Sequence, residues 1–132
     1  MSEVLRLVLK DAVARPGEPF TCVVLLDPHD ERVALAQKLT VSFEWRATEK
    51  FIGNVLRKRD RTRERKVESS WSPELPLRME YHAMLTLPDR APVTYDGKLV
   101  TIEWFLVALL DVPRKQNGYV ELPVRVVPRG ST

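Results

Sequence analysis

Apolar side chains in this chain recur at every second position, and that period constrains the fold more than any other feature. Over residues 38–47 the odd positions are Leu39, Val41, Phe43, Trp45 and Ala47, and the even ones are Lys38, Thr40, Ser42, Glu44 and Arg46. Successive side chains of an extended chain point to opposite sides, so this pattern predicts a strand with one dry and one wet face. The alternation returns at Leu77, Met79, Tyr81, Ala83, Leu85 and Leu87, set against Arg78, Glu80, His82 and Thr86. Near the start, Leu5, Leu7 and Leu9 alternate with Val4, Arg6 and Val8. Residues 20–26 and most of 100–110 are apolar on both faces, as expected of central strands, with Ile102, Trp104, Leu106 and Ala108 facing the core. Val120, Leu122, Val124 and Val126 form the closing strand.

Turn chemistry separates these runs. Pro16-Gly17 precedes the second strand, and Asp96-Gly97 and Asn117-Gly118 are tight-turn dipeptides in which φ > 0 is expected at both central residues. The prolines fall mainly between or at the ends of runs, where a missing ladder donor costs least. Six or seven strands punctuated in this way predict an all-β, immunoglobulin-like antiparallel β-sandwich. Only residues 31–38 and 54–68 are candidates for helix, and the first alternatively leads straight into its strand. A length of 132 residues fits one domain, taken as residues 1–127. Residues 128–132, within "VVPRGST", read either as a native tail or as a protease-cleavage scar, one residue away from Leu-Val-Pro-Arg, and carry no functional weight.

Composition narrows the setting. A single cysteine, Cys22, excludes an internal disulfide, so a reducing cytoplasm is the expected compartment. No stretch approaches the roughly 20 apolar residues of a membrane helix, and "MSEVLRLVLKD" lacks the parts of a signal peptide. The net charge of +3 conceals an asymmetry. Residues 57–66 hold seven basic and two acidic side chains, which leaves 14 basic and 16 acidic elsewhere. A mildly acidic body thus carries one basic segment, and the pI of about 9.2 comes from that segment.

The strand order also carries a recognisable text. "LRLVLKDAVARPGEPFTCVVLL" gives an amphipathic strand, a Pro-Gly-Glu turn and a second strand. "YHAMLTLPDRAPVTYDGKLVTIEWFLVALLDVP" gives a strand ending in Leu87-Pro88, a loop with Pro92, the turn Thr94-Tyr95-Asp96-Gly97, and a long apolar strand closing through residues 108–113, followed by "ELPVRVV". Taken in order, these elements resemble the N-terminal half of arrestin-type proteins over nearly the whole chain. Small bacterial arrestin-like proteins, sporulation-control types among them, are the nearer comparison, because arrestins proper hold two such sandwiches. The resemblance implies an immunoglobulin-like sandwich used as an adaptor or scaffold, with no catalytic residues. The family's phosphate-sensing and buried ionic-core residues match no positions here, so none is carried over.

The basic segment is the candidate binding element. Arg57, Arg59, Arg61, Arg63 and Arg65 occupy alternate positions, with Lys58 and Lys66 among the residues between. If extended, the arginines line one side about 6.6–6.8 Å apart; if helical, they scatter around the cylinder. The functional reading is an anion-binding arm for an acidic protein partner, with nucleic acid or anionic membrane less favoured. The bland reading is a solvated loop or a charge-guarded edge strand. No Phe, Tyr or Trp is interleaved among the arginines, which counts against single-strand nucleic-acid binding. Seven basic groups cannot enter a core, so the segment is expected to project, with Phe51 and Ile52 beside Gly53-Asn54 as an apolar tip. Trp71 is either a partner anchor or a lid over one end of the sandwich. Association with a second copy through a sheet edge is a further option.

Other chemistry is sparse. Residues 27–31, Asp-Pro-His-Asp-Glu, cluster possible metal ligands but lack the spacing of a calcium loop, so a polar turn and no metal or cofactor is expected. There is no GxSxG, HExxH, CxxC or Gly-rich phosphate loop. Cys22, in an apolar run, reads as a packing residue, and His82 as an exposed one. The expectation is a non-enzymatic adaptor; the alternative is a module for nucleic acid or acidic lipid acting through residues 57–66.

Overall fold

A computed structural model describes residues 4–49, 61–74 and 78–128. Among these residues nine strands and one short helix follow in order: β1 (Leu5–Val8), β2 (Val13–Ala14), β3 (Pro19–Leu26), α1 (Glu31–Leu35), β4 (Lys38–Glu49), β5 (Arg61–Trp71), β6 (Glu80–Thr86), β7 (Tyr95–Asp96), β8 (Val100–Asp111) and β9 (Gly118–Val126). They form two sheets. The smaller has the order β1-β3-β6 and the larger β2-β9-β8-β4-β5, with β7 also paired to β8. All pairings are antiparallel except β2 with β9. The fold is therefore an all-β sandwich.

The period-two faces meet across the layers. Within the larger sheet Leu39, Val41 and Phe43 of β4 pair in register with Leu110, Ala108 and Leu106 of β8, and these six and Trp104 are buried. The smaller sheet contributes Leu5, Leu7, Phe20, Cys22, Val24, Leu26, Ala83 and Leu85 to the same core. Phe43 sits between two edge-on aromatic contacts, Phe20 at 5.0 Å and Trp104 at 6.2 Å between ring centroids. The Trp104 indole donates to the Pro92 carbonyl at 2.7 Å, which pins the loop before β7 over the core. Burial pushes the Cys22 thiol up to about 11, as befits a packing residue.

Several expectations change. α1 does form over part of 31–38, because the Asp30 carboxylate accepts the Arg32 N–H as an N-cap. Residues 61–68, open to helix on sequence, are strand. The two tight-turn dipeptides are not turns with φ > 0; that conformation falls at Gly17 and Arg114. Asn117 closes the β8–β9 loop by accepting the Val112 N–H on its side chain, and the β7–β8 loop closes around residues 98–99 through Gly97 N–H to Val100 O. Trp45, Tyr81 and Ile102 only pack against the core, and Met79 is exposed.

Candidate partner-binding edge

β5 pairs with β4 from Val41 with Trp71 to Glu49 with Arg61. Among the described residues no further strand pairs beyond β5, which ends the larger sheet there. The described half of the basic segment, Arg61 to Lys66, is thus strand. For residues 61–66 this replaces the expected projecting arm with a strand of the sheet. The cost argument still holds, since no described basic group enters the core, but a sheet edge meets it as well as an arm does. Phe51, Ile52, Arg57, Lys58 and Arg59 lie outside the described residues, as do the side chains of Arg61 and Arg63.

Two register shifts shape this edge. Ser69 and Val67 pair with Phe43 and Glu44, and Glu64 and Thr62 pair with Ala47 and Thr48. Glu68 and Arg63 are each the extra residue of a bulge on β5. Between them residues 64–67 run in regular register. Within that window Val67 is 55% exposed, and the side chains of Arg65 and Lys66 are 60% and 52% exposed.

Acidic groups on β4 and β5 hold these cations in place. Arg65 donates from Nε to Glu44 at 2.9 Å, and Lys66 lies 3.5 Å from Glu68. The nearly buried Glu68 carboxylate also accepts the Trp45 indole N–H at 3.0 Å, so it fixes a core-packed ring and an edge lysine together. Glu44 is the only buried charged residue among those described, although it points away from the core. Arg46 explains it. The guanidinium lies 4.0 Å above the Phe105 ring, donates to Glu44 at 2.9 Å and engages Glu121. Tyr119 donates to Glu121 from its hydroxyl at 2.8 Å. The Arg46 and Tyr119 donors hold the Glu121 carboxyl below the usual carboxylate range, and hydrogen bonding to Glu121 raises Arg46 further above its ordinary value. Neither Glu44 nor Glu121 stood out on sequence, because the grouping depends on the β4–β8–β9 register.

The other candidates fall into place. Trp71 ends β5, pairs with Val41 and packs edge-on against Tyr81 at 5.8 Å, where β5 faces β6. It is half-buried and packs against the core. Asp27 accepts the His29 N–H and Asp30 caps α1, so two of the clustered acids serve the local turn. Among the described residues no group of three or more His, Cys, Asp or Glu is placed to hold a metal ion. Among them, too, no helix is long and apolar enough to cross a membrane.

No protein-family model and no curated protein matches this chain. Among solved structures it is similar to Spo0M, a sporulation control protein from Bacillus subtilis, at 18% identity and a TM-score of 0.51. The match covers 92% of this chain and 48% of that one, so the chain spans about half the length of that neighbour. At this identity the likeness is one of fold, and it supports the arrestin-like sandwich that the sequence resembles.

Proposed function

We propose that this domain is a non-enzymatic adaptor of the small bacterial arrestin-like type, working in the cytoplasm and binding protein through the β5 edge of its larger sheet. One observation carries the reading. The longest edge strand among the described residues holds exposed cations and an exposed valine, is paired along its length to β4, and is anchored by Glu44 and Glu68. A binding site built this way costs little ordering entropy, because the ion pairs and the β4 ladder already restrict its side chains and backbone. The arrestin-like fold fits an adaptor role but does not select the partner.

Replacing Arg57, Arg59, Arg61, Arg63 and Arg65 with serine tests it. The domain should stay folded, while the protein captured from a lysate of the source organism should fall and lose its salt dependence. Undiminished capture would refute the reading and move attention to Trp71 or the other sheet edges. Capture of nucleic acid or acidic vesicles instead of protein would support the anionic-surface alternative.

A further inference from the structure

The described edges are not equivalent. β2 and β7 have two residues each and β1 has four, too short to template a partner. β6 has seven, but its exposed Glu80 and His82 engage each other at 3.1 Å and it presents no lysine or arginine. β5 has eleven residues, and its bulges leave residues 64–67 in regular register. Bulges and charge are the usual guards of an edge. Here they flank and decorate the window rather than remove it, so they select what can pair instead of forbidding pairing. The window's two exposed cations, Arg65 and Lys66, outnumber its one acid, Glu64, so it disfavours a basic strand and favours an acidic one. A second copy is disfavoured in two of the central registers, since antiparallel pairing of β5 with itself about Glu64 sets Arg63 opposite Arg65, and about Lys66 sets Glu64 opposite Glu68.

Resting on the adaptor reading above, we propose that β5 takes its partner by strand addition. An extended acidic segment pairs its backbone with the outer edge of residues 64–67 and sets its carboxylates against Arg65 and Lys66, with an apolar side chain against Val67. Backbone pairing supplies affinity and the alternate side chains supply selectivity.

The probe is an eight-residue peptide of repeating Glu-Glu-Val, which can set Glu, Glu and Val opposite Arg65, Lys66 and Val67, with a Lys-Lys-Val peptide as control, followed by fluorescence anisotropy at low and high salt. The Glu-Glu-Val peptide should bind and the control should not. Lys66→Ser should weaken binding a few-fold and flatten its salt dependence. Successive strand N–H groups point to opposite sides, so of Lys66→Pro and Val67→Pro one removes an inward donor and the other an outward one. The outward variant should keep its Tm yet bind roughly tenfold more weakly than Lys66→Ser. If both prolines unfold the domain, amide exchange on the wild-type protein decides: slowed exchange at residues 64–67 with peptide supports strand addition, and unchanged exchange overturns it. Binding that falls with Lys66→Ser but not with either folded proline variant overturns strand addition and leaves the adaptor reading standing. Binding indifferent to all three variants overturns both. Tighter binding of a single-stranded oligonucleotide or phosphatidylserine vesicles overturns the partner class. A dimer abolished by Val67→Pro would make a second copy the occupant and overturn the proposal.

Discussion

Replacing Trp104 with alanine removes the largest fully buried side chain of the domain. Trp104 is 1% exposed, meets Phe43 edge-on at 83° and donates its indole N–H to the Pro92 carbonyl. A buried aromatic side chain withdraws about 150–250 Å² from water, which at about 25 cal/mol per Å² is roughly 4–6 kcal/mol. The unfolded chain already hides part of that area, which lowers the figure, whereas the cavity left behind raises it. A loss of about 3–5 kcal/mol is expected, a large share of the roughly 5–15 kcal/mol that holds a domain together. Trp104→Phe divides the effect. It keeps a ring but leaves the Pro92 carbonyl without its donor, and should cost about 1–3 kcal/mol. Urea titration followed by far-ultraviolet circular dichroism measures both. A loss below about 1 kcal/mol for Trp104→Ala would refute the two-layer core, since no buried indole in a packed interior is that cheap to delete.

Three further perturbations probe other parts of the account. A Cβ added at Gly118 would lie 2.5 Å from the Val4 Cγ1 atom and 3.2 Å from the Leu110 Cβ atom; Gly118→Ala should therefore cost about 1–3 kcal/mol by overpacking, and clearly less in a Val4→Ala background, as read by thermal melting. The Glu121 carboxyl is depressed in the folded state, so its contribution is present above the ordinary carboxylate range and is lost as pH falls through the folded value; urea midpoints from pH 7 down to pH 3 should fall less steeply in Glu121→Gln than in the wild type. The Cys22 thiol, raised to about 11 by burial, should resist a thiol reagent at pH 8 until urea unfolds the domain, and rapid labelling of the native protein would contradict its packing.

The core was largely legible because burial and strand period are local properties. Leu39, Val41 and Phe43 alternate in the sequence and are buried in the fold, and the doubly apolar run at 20–26 became the centre of the smaller sheet. What depends on distant pairing was not legible. Glu44 reads as an ordinary wet-face residue until β5 and β9 bring Arg65 and Glu121 beside it and Arg46. Trp45 belongs by period to the core, but its indole reaches the β5 edge to meet Glu68. The basic segment was legible as chemistry and not as architecture. Seven charges exclude the interior, yet only the length of β4 and its acidic side chains decide that residues 61–66 become an edge strand and not an arm. The Asn-Gly and Asp-Gly signals marked loops correctly and their turn type wrongly, because a side-chain bond from Asn117 offered the β8–β9 loop another way to close.

Backbone amide exchange, recorded with and without the captured protein partner, tests the β5 edge most directly. Binding at that edge should slow exchange within residues 64–67 and leave β1 and β6 at their free rates. Protection confined to β6 or to the outer face of the smaller sheet, with residues 64–67 unchanged, would contradict it.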